Sequence, residues 1–227
     1  MAAVPSPTGG VAVPEPRKVV ALGGGQPHHA SRFPTSSAKR TIDLATGVLL
    51  ATLLAVLIVP LGILIKIGSP GPAIIRQPRV GQHGRVFQMY KLRSMRSDAE
   101  ADGVARWAQI DDPRITPIGR ILRKTRLDEL PQAINVLRGD MAVVGPRPER
   151  PEWIDLLGST HENFHLRHNV RPGITGMAQV HHCYTSTLTD WEQKLLYDLH
   201  YVRSATLGLE LLILLRTVAV VLNRRGL

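Results

Sequence analysis

From Leu44 to Ile65 the chain runs without a charged residue, between Lys39, Arg40 and Asp43 on one side and Lys66 on the other. At about 1.5 Å of rise per residue, a helix of this length reaches across a hydrocarbon core of about 30 Å. Everything else in the chain must be arranged around an apolar rod that needs lipid or protein cover. A simple span is the default for such a run. Charge argues against it, because Arg32, Lys39 and Arg40 precede the run while Lys66, Arg76, Arg79 and Arg85 follow it, so a span leaves one basic cluster outside. Pro60, inside the run, offers a place for the helix to bend back into a re-entrant hairpin with both ends cytoplasmic. The residues alone leave hairpin and span open.

The remaining length of this 227-residue chain suffices for one domain with a sizeable core. A formal charge of +10 calls for an anionic partner. Nucleic acid is disfavoured: aromatic content is only 4% and no recognition motif stands out, so a phosphorylated substrate or an anionic membrane surface accounts better for the charge. The single Cys183 excludes an internal disulfide or a cysteine metal cluster and is consistent with a reducing cytosolic face. Residues 1–38, rich in Pro, Gly, Ser and Thr, read as a disordered tail without a signal peptide. Residues 39–68 then form the membrane segment and 69–227 the folded domain.

Ser69-Pro70-Gly71-Pro72 stops the apolar run. Ala73 to Tyr90 reads as a short strand or a hairpin, with a turn at Gly81-Gln82-His83-Gly84; Lys91, Arg93 and Arg96 follow and suit either a solvated basic face or contact with an anion or lipid head groups. Ser97 to Asp112 is a polar connection in which Trp107 is placed to anchor at a membrane interface. Trp153 to His168 reads as helical and contains His161-Glu162-Asn163-Phe164-His165, a match to the zinc-protease pattern H-E-x-x-H. That pattern is short, and His168 comes too early for the third metzincin ligand, so a polar helix face is the preferred reading over a zinc hydrolase. Asp190 to Tyr201 is amphipathic. Leu207 to Leu222, interrupted by Glu210 and Arg216 and followed by Arg224-Arg225, suits an interfacial helix or a buried core helix.

The chemistry concentrates between Gly119 and Glu149. Asp128 and Glu129 are adjacent, with Arg120, Arg123, Lys124 and Arg126 before them and Arg138, Arg147 and Arg150 after. Pro131 suits the first turn of a short helix capped at Glu129 or Leu130, reaching Leu137 and ended by Gly139. The acidic pair then lies at a helix start, where capping alone would explain it. Amid so much positive charge, however, paired carboxylates can divide labour, one as nucleophile and one as a ligand of Mg²⁺, while arginine forks hold phosphate oxygens. Gly145-Pro146-Arg147-Pro148 is a stiff turn that fixes where one arginine points.

With Lys39-Arg40-Thr41-Ile42-Asp43, the Ser69–Pro72 stop, Arg79-Val80-Gly81 through Gly84, Tyr90 to Met95, LDELPQ, NVLRGDM, VGPRPE and RPGITG all in order, the sequence resembles the bacterial sugar transferase family from about Lys39 to Arg225. These are monotopic polyprenol-phosphate phosphoglycosyl transferases. The resemblance implies an α+β, mainly helical fold: a re-entrant helical hairpin in the inner membrane, broken near Pro60, and a small catalytic domain on the cytoplasmic face. It implies transfer of a sugar 1-phosphate from a UDP-sugar to polyprenyl (undecaprenyl) phosphate with release of UMP, as a first membrane step of exopolysaccharide, capsule, O-antigen or glycoprotein glycan assembly. In this resemblance Asp128 is the nucleophile that forms a covalent phosphosugar intermediate and Glu129 holds Mg²⁺; Arg93, Arg123, Arg147 and Arg171 match basic positions expected to contact substrate. A homodimer through the membrane-proximal face is a further expectation, without a residue to carry it. Three positions depart from the family pattern: Ala55-Val56 replaces the usual Ser-Pro of the hairpin, Met177 a tryptophan, and His181-His182-Cys183 an Asn-Gly-Arg. A catalytically inactive membrane scaffold is the alternative.

Overall fold

The structure, a computed structural model, describes residues 31–104, 106, 111–181 and 188–222. The first thirty residues of the expected tail, Trp107, Cys183 and the Arg224-Arg225 pair lie outside them. The last residues of that tail are structured: Ser31 N–H donates to the Val202 carbonyl at 3.0 Å, and Phe33–Thr35 form a 3-10 turn.

Ser36 caps α1 (Ser37–Gly68), its hydroxyl accepting from the Lys39 N–H at 3.2 Å. The helix continues through Pro60 with no reversal. Pro60 has no N–H to give and its ring crowds the preceding turn, but its exposed position lets the helix pass without a turn between two helices. The buried positions Asp43, Gly47, Leu54 and Ile65, with half-buried Leu50, Ile58 and Leu61 between them, recur at steps of three or four residues. That is one stripe along a single continuous helix. Val48, Leu49, Val56, Val59, Ile63 and Ile67 stay exposed on the other side. α1 is also the one helix among the described residues long and apolar enough to cross a membrane.

β1 (Ile74–Val80) and β2 (Val86–Leu92) form the expected antiparallel hairpin, Ile74 opposite Leu92 and Val80 opposite Val86. Its turn needs positive φ at His83 and Gly84. α2 (Pro117–Lys124) packs Ile118 and Leu122 on Ile65 of α1 and Leu92 of β2. A 3-10 turn at Leu127–Glu129 leads into α3 (Gln132–Arg138), which Gly139 ends at φ 89°. The helix is the expected one, preceded by a tighter turn that carries the acidic pair. Arg40 of α1 donates to the exposed carbonyls at the end of α3, Val136 at 2.7 Å and Leu137 at 3.0 Å.

β3 (Ala142–Val144) pairs in parallel with β4 (Gly173–Thr175), bringing VGPRPE beside RPGITG. A Cβ on Gly145 would stand 2.4 Å from the Arg171 carbonyl, and one on Gly173 would stand 2.1 Å from the Gly145 nitrogen, so two backbones touch where only glycine fits. α4 (Pro151–Thr160) ends before the H-E-x-x-H segment. His161 is its extended cap, and Asn163 has φ 63°, so His161 and His165 are not one helical turn apart as that zinc motif requires. α5 (Met177–His181), α6 (Leu188–Ser204) and α7 (Leu207–Leu222) complete the fold, with Met141, Val143, Val144, Tyr201 and Ile213 in the main core.

A buried polar cluster ties these layers together. Lys39 of α1 lies 2.7 Å from Asp43 and also pairs with Glu210 of α7; all three are at most 1% exposed. Asp43 accepts the Val143 N–H of β3 at 2.8 Å, and the Tyr201 hydroxyl of α6 lies 3.0 Å from Glu210. Removing one partner leaves a buried charge uncompensated. Lys39→Met is therefore expected to cost about 3–5 kcal/mol, read as a fall in unfolding midpoint in detergent, with Glu210→Gln in the same background recovering part of the loss.

Candidate active site

Asp128 and Glu129 are 4% and 6% exposed and line a cleft of about 480 Å³. Four elements build it: β1 supplies Arg79; β2 and the segment after it supply Lys91, Arg93 and Ser94; the end of α2 supplies Arg123; and the turn after β3 supplies Arg147. Arg126, just before the acidic pair, is left-handed at φ 59°, a conformation costly for a non-glycine residue. That kink ends α2 and starts the 3-10 turn, so the two carboxylates leave the backbone toward the cations.

The two acids are held differently. Arg147 forks onto Glu129, 2.7 Å to Oε1 and 3.3 Å to Oε2, with Arg126 3.6 Å from Oε1. Burial alone would raise the Glu129 pKa, but Arg147, Lys91 and Arg126 outweigh it and hold the carboxyl well below the usual range. Asp128 has no such fork. Its nearest cation is Lys91, 3.8 Å from Oδ2, and Oδ1 is buried without a hydrogen-bond partner. Burial pushes the Asp128 pKa up and adjacent Glu129 adds to the rise, with Lys91 opposing. One carboxylate is thus a clamped anion, the other a more basic one with an unencumbered oxygen.

The surrounding cations are poorly solvated. Burial lowers Lys91 to about 8 and Arg79 to about 10, and lowers Arg123 as well. Arg123 donates to the Ser94 hydroxyl at 2.9 Å, and Arg79 keeps a buried Nε without a partner. Desolvated cations in such excess suit a ligand rich in phosphate oxygens.

Of the residues expected from sequence, Asp128, Glu129, Arg123 and Arg147 come together. Arg93 lines the same cleft, but two of its nitrogens donate to the Pro70 and Ser69 carbonyls at 2.7 and 2.5 Å; it braces the Ser-Pro-Gly-Pro stop. Arg171 lies outside the cleft, on the side of Tyr201, whose acidity its charge affects. Lys91, 3.7 Å from Glu129 and 3.8 Å from Asp128, was legible only as one of several basic residues after the hairpin.

Among the described residues no group of three or more His, Cys, Asp or Glu side chains is placed to hold a metal. Mg²⁺ seldom needs one, because it is held by one or two carboxylates plus substrate phosphates. Asp128 Oδ1 is uncommitted, and a carboxylate has about four lone-pair sites, so Glu129 can accept a cation beside the Arg147 fork. The pair fits Mg²⁺.

A buried anion ringed by cations and rigid turns suits a phosphorylated ligand, and comparison identifies the lineage. The family model described as bacterial sugar transferase matches residues 34–224, and the chain belongs to that family. It is 41% identical over 188 residues to a UDP-N-acetylgalactosamine-undecaprenyl-phosphate N-acetylgalactosaminephosphotransferase of Aeromonas hydrophila, covering 83% of this chain and 44% of the relative. UDP-glucose:undecaprenyl-phosphate glucose-1-phosphate transferases of Escherichia coli and Caulobacter vibrioides are 41% and 42% identical, with 82% of this chain covered in each case and 41% and 70% of the relatives. The chain thus spans less than half the length of the Aeromonas and Escherichia proteins.

Arg147→Ala removes the fork from a buried anion and is expected to cost about 3 kcal/mol or more. Thermal unfolding of this variant and of the Arg147→Ala, Glu129→Gln pair checks it: the double variant should be the more stable of the two.

Proposed function

We propose that this chain transfers a sugar 1-phosphate from a UDP-sugar to undecaprenyl phosphate, releasing UMP, through a covalent aspartyl phosphosugar intermediate. The observation that carries the reading is the asymmetry of the acidic pair: Glu129 is clamped by Arg147, whereas Asp128 keeps a free buried oxygen and a raised pKa. A carboxylate oxygen of Asp128 attacks the β-phosphorus, and the bond from that phosphorus to the oxygen bridging toward UMP breaks. A phosphate oxygen of undecaprenyl phosphate then attacks the same phosphorus and the Asp128 carboxylate leaves, giving the lipid-linked diphosphosugar. No net proton or electron is needed. Lys91 keeps Asp128 ionised between turnovers, and Arg79 and Arg123 hold phosphate oxygens. Glu129 would hold Mg²⁺, which when bound neutralises charge on the diphosphate.

The matched relatives differ in the sugar they are named for, N-acetylgalactosamine or glucose, so the donor here is assigned only as a UDP-sugar. We place the chain at the inner membrane with its catalytic body on the cytoplasmic face. Both ends of α1 pack on that body, Gly47 against Val136 and Leu137 and Gly68 against Ile118, so a crossing that leaves its ends on opposite faces is hard to reconcile with the fold. Basic residues at both ends favour the same side. On this reading α1 is monotopic by lying along the body with its exposed apolar face in lipid.

UMP release by the detergent-solubilised protein with Mg²⁺, undecaprenyl phosphate and a panel of UDP-sugars tests the function. Asp128→Asn should lower the rate by about 10³-fold or more. A folded wild-type protein that releases no UMP from any donor would favour the scaffold alternative.

The pH profile of kcat/KM reports the free enzyme. Asp128 must be ionised, so the rate falls as pH drops through its raised pKa. Lys91 must be charged, so the rate falls again above about pH 8. Lys91→Arg should move the alkaline limb upward, and an unmoved limb would exclude Lys91 as its source.

A further inference from the structure

Arg126, Glu129 and Arg147 line a second cavity as well as the cleft. It is a groove of about 400 Å³ between α1 and α7, walled by Leu50 and Leu53 on one side and by Leu214, Val218 and Val221 on the other. The two helices are pinned together near their starts by Lys39 and Glu210, and both line the groove at increasing distance from that pin. They therefore run the same way and leave a slot between them. The slot's rim is continuous with exposed apolar surface: Leu53 is 42% and Val218 is 56% exposed, with Leu49 and Val56 beyond on α1 and Leu215 and Leu222 on α7. The inner end carries two arginines, Arg126 and Arg147, against one carboxylate, Glu129, which leaves it net cationic.

We propose that this groove seats the phosphate-proximal isoprenoid units of the acceptor lipid, with the lipid phosphate at Arg126 and Arg147. The proposal rests on the transferase reading above. An apolar slot with a cationic end complements a hydrocarbon chain with an anionic head, and apolar walls give a nucleotide sugar nothing to bond. The groove is too small for a whole undecaprenyl chain, so the remainder lies in the apolar layer that covers the outer faces of α1 and α7. Continuity with the cleft is what the second displacement requires. The attacking oxygen must reach phosphorus from the side UMP has left, and Arg126 and Arg147 line both cavities, so they can hold the acceptor phosphate at the shared wall and admit it when UMP departs.

The test uses the wild-type chain in detergent with a benzophenone-bearing prenyl phosphate. Crosslinks are expected within residues 50–53 and 214–221, displaced by undecaprenyl phosphate and not by phosphatidic acid or inorganic phosphate. In parallel, Leu53→Trp and Val218→Trp should raise the KM for undecaprenyl phosphate roughly tenfold by occluding the slot. Exchange of labelled UMP into UDP-sugar without lipid separates this proposal from the one beneath it. Failure of exchange in the wild-type protein sinks the transferase mechanism. A variant that exchanges UMP yet keeps the wild-type lipid KM overturns the groove alone, as do crosslinks elsewhere or crosslinks that phosphatidic acid displaces equally. Should both variants lose exchange, the wild-type crosslinks decide.

Discussion

Two adjacent carboxylates can be buried together as anions only if cations are buried with them, and the fold of this protein is largely a means of delivering those cations. Arg147 comes from a Gly-Pro-Arg-Pro turn whose position depends on bare backbone contact between Gly145 and the segment ending at Gly173. Its carbonyl is held by Arg167 at 2.6 Å, and Arg167 is itself paired with Asp198 at 2.7 Å. Lys91 comes from a hairpin strand fixed by Asn135 of α3, which accepts the Tyr90 N–H and donates to the Gln88 carbonyl. Each support lies on a different element, so the charge state of the acidic pair reports the packing of the whole body. Burial works against Glu129 ionisation and arginine reverses it; at Asp128 burial wins.

The apolar helix is a second organising constraint. Its first turn is joined by Lys39 and Asp43 to α7 and β3, and its last turns pack Ile65 against α2 and β2. The helix is therefore a structural beam of the folded body, and the apolar face it leaves exposed is the lipid contact proposed above. That dual role explains the polar cluster deep in an otherwise apolar layer: ion pairs specify which helices meet, where apolar contacts alone would tolerate sliding.

Much of this was legible in sequence because local rules suffice for it. Chargelessness marked α1, apolar residues on either side of a Gly-containing turn marked the strand pair, and Gly139 stopped α3 where a positive φ was needed. The acidic pair and Arg147 stood out because rigid neighbours fix their direction. What local rules miss is where long side chains go. Arg93 follows a basic motif yet is drawn to two carbonyls left open by the proline stop. Arg171 opens the RPGITG segment, yet it lies outside the lining of the cleft. Lys91 was open to a solvated face or to anion binding, and only the packing of its strand beside the acids decides between them. Pro60 suggested a reversal, but an exposed proline can be accommodated when both flanking segments are held by packing on one body.

The most direct measurement is the intact mass of the protein after incubation with its UDP-sugar and Mg²⁺ in the absence of acceptor lipid. The account predicts an added sugar phosphate, mapped to Asp128, absent from Asp128→Asn and discharged by undecaprenyl phosphate. An adduct on another residue, or full turnover by a protein that never carries one, would contradict it.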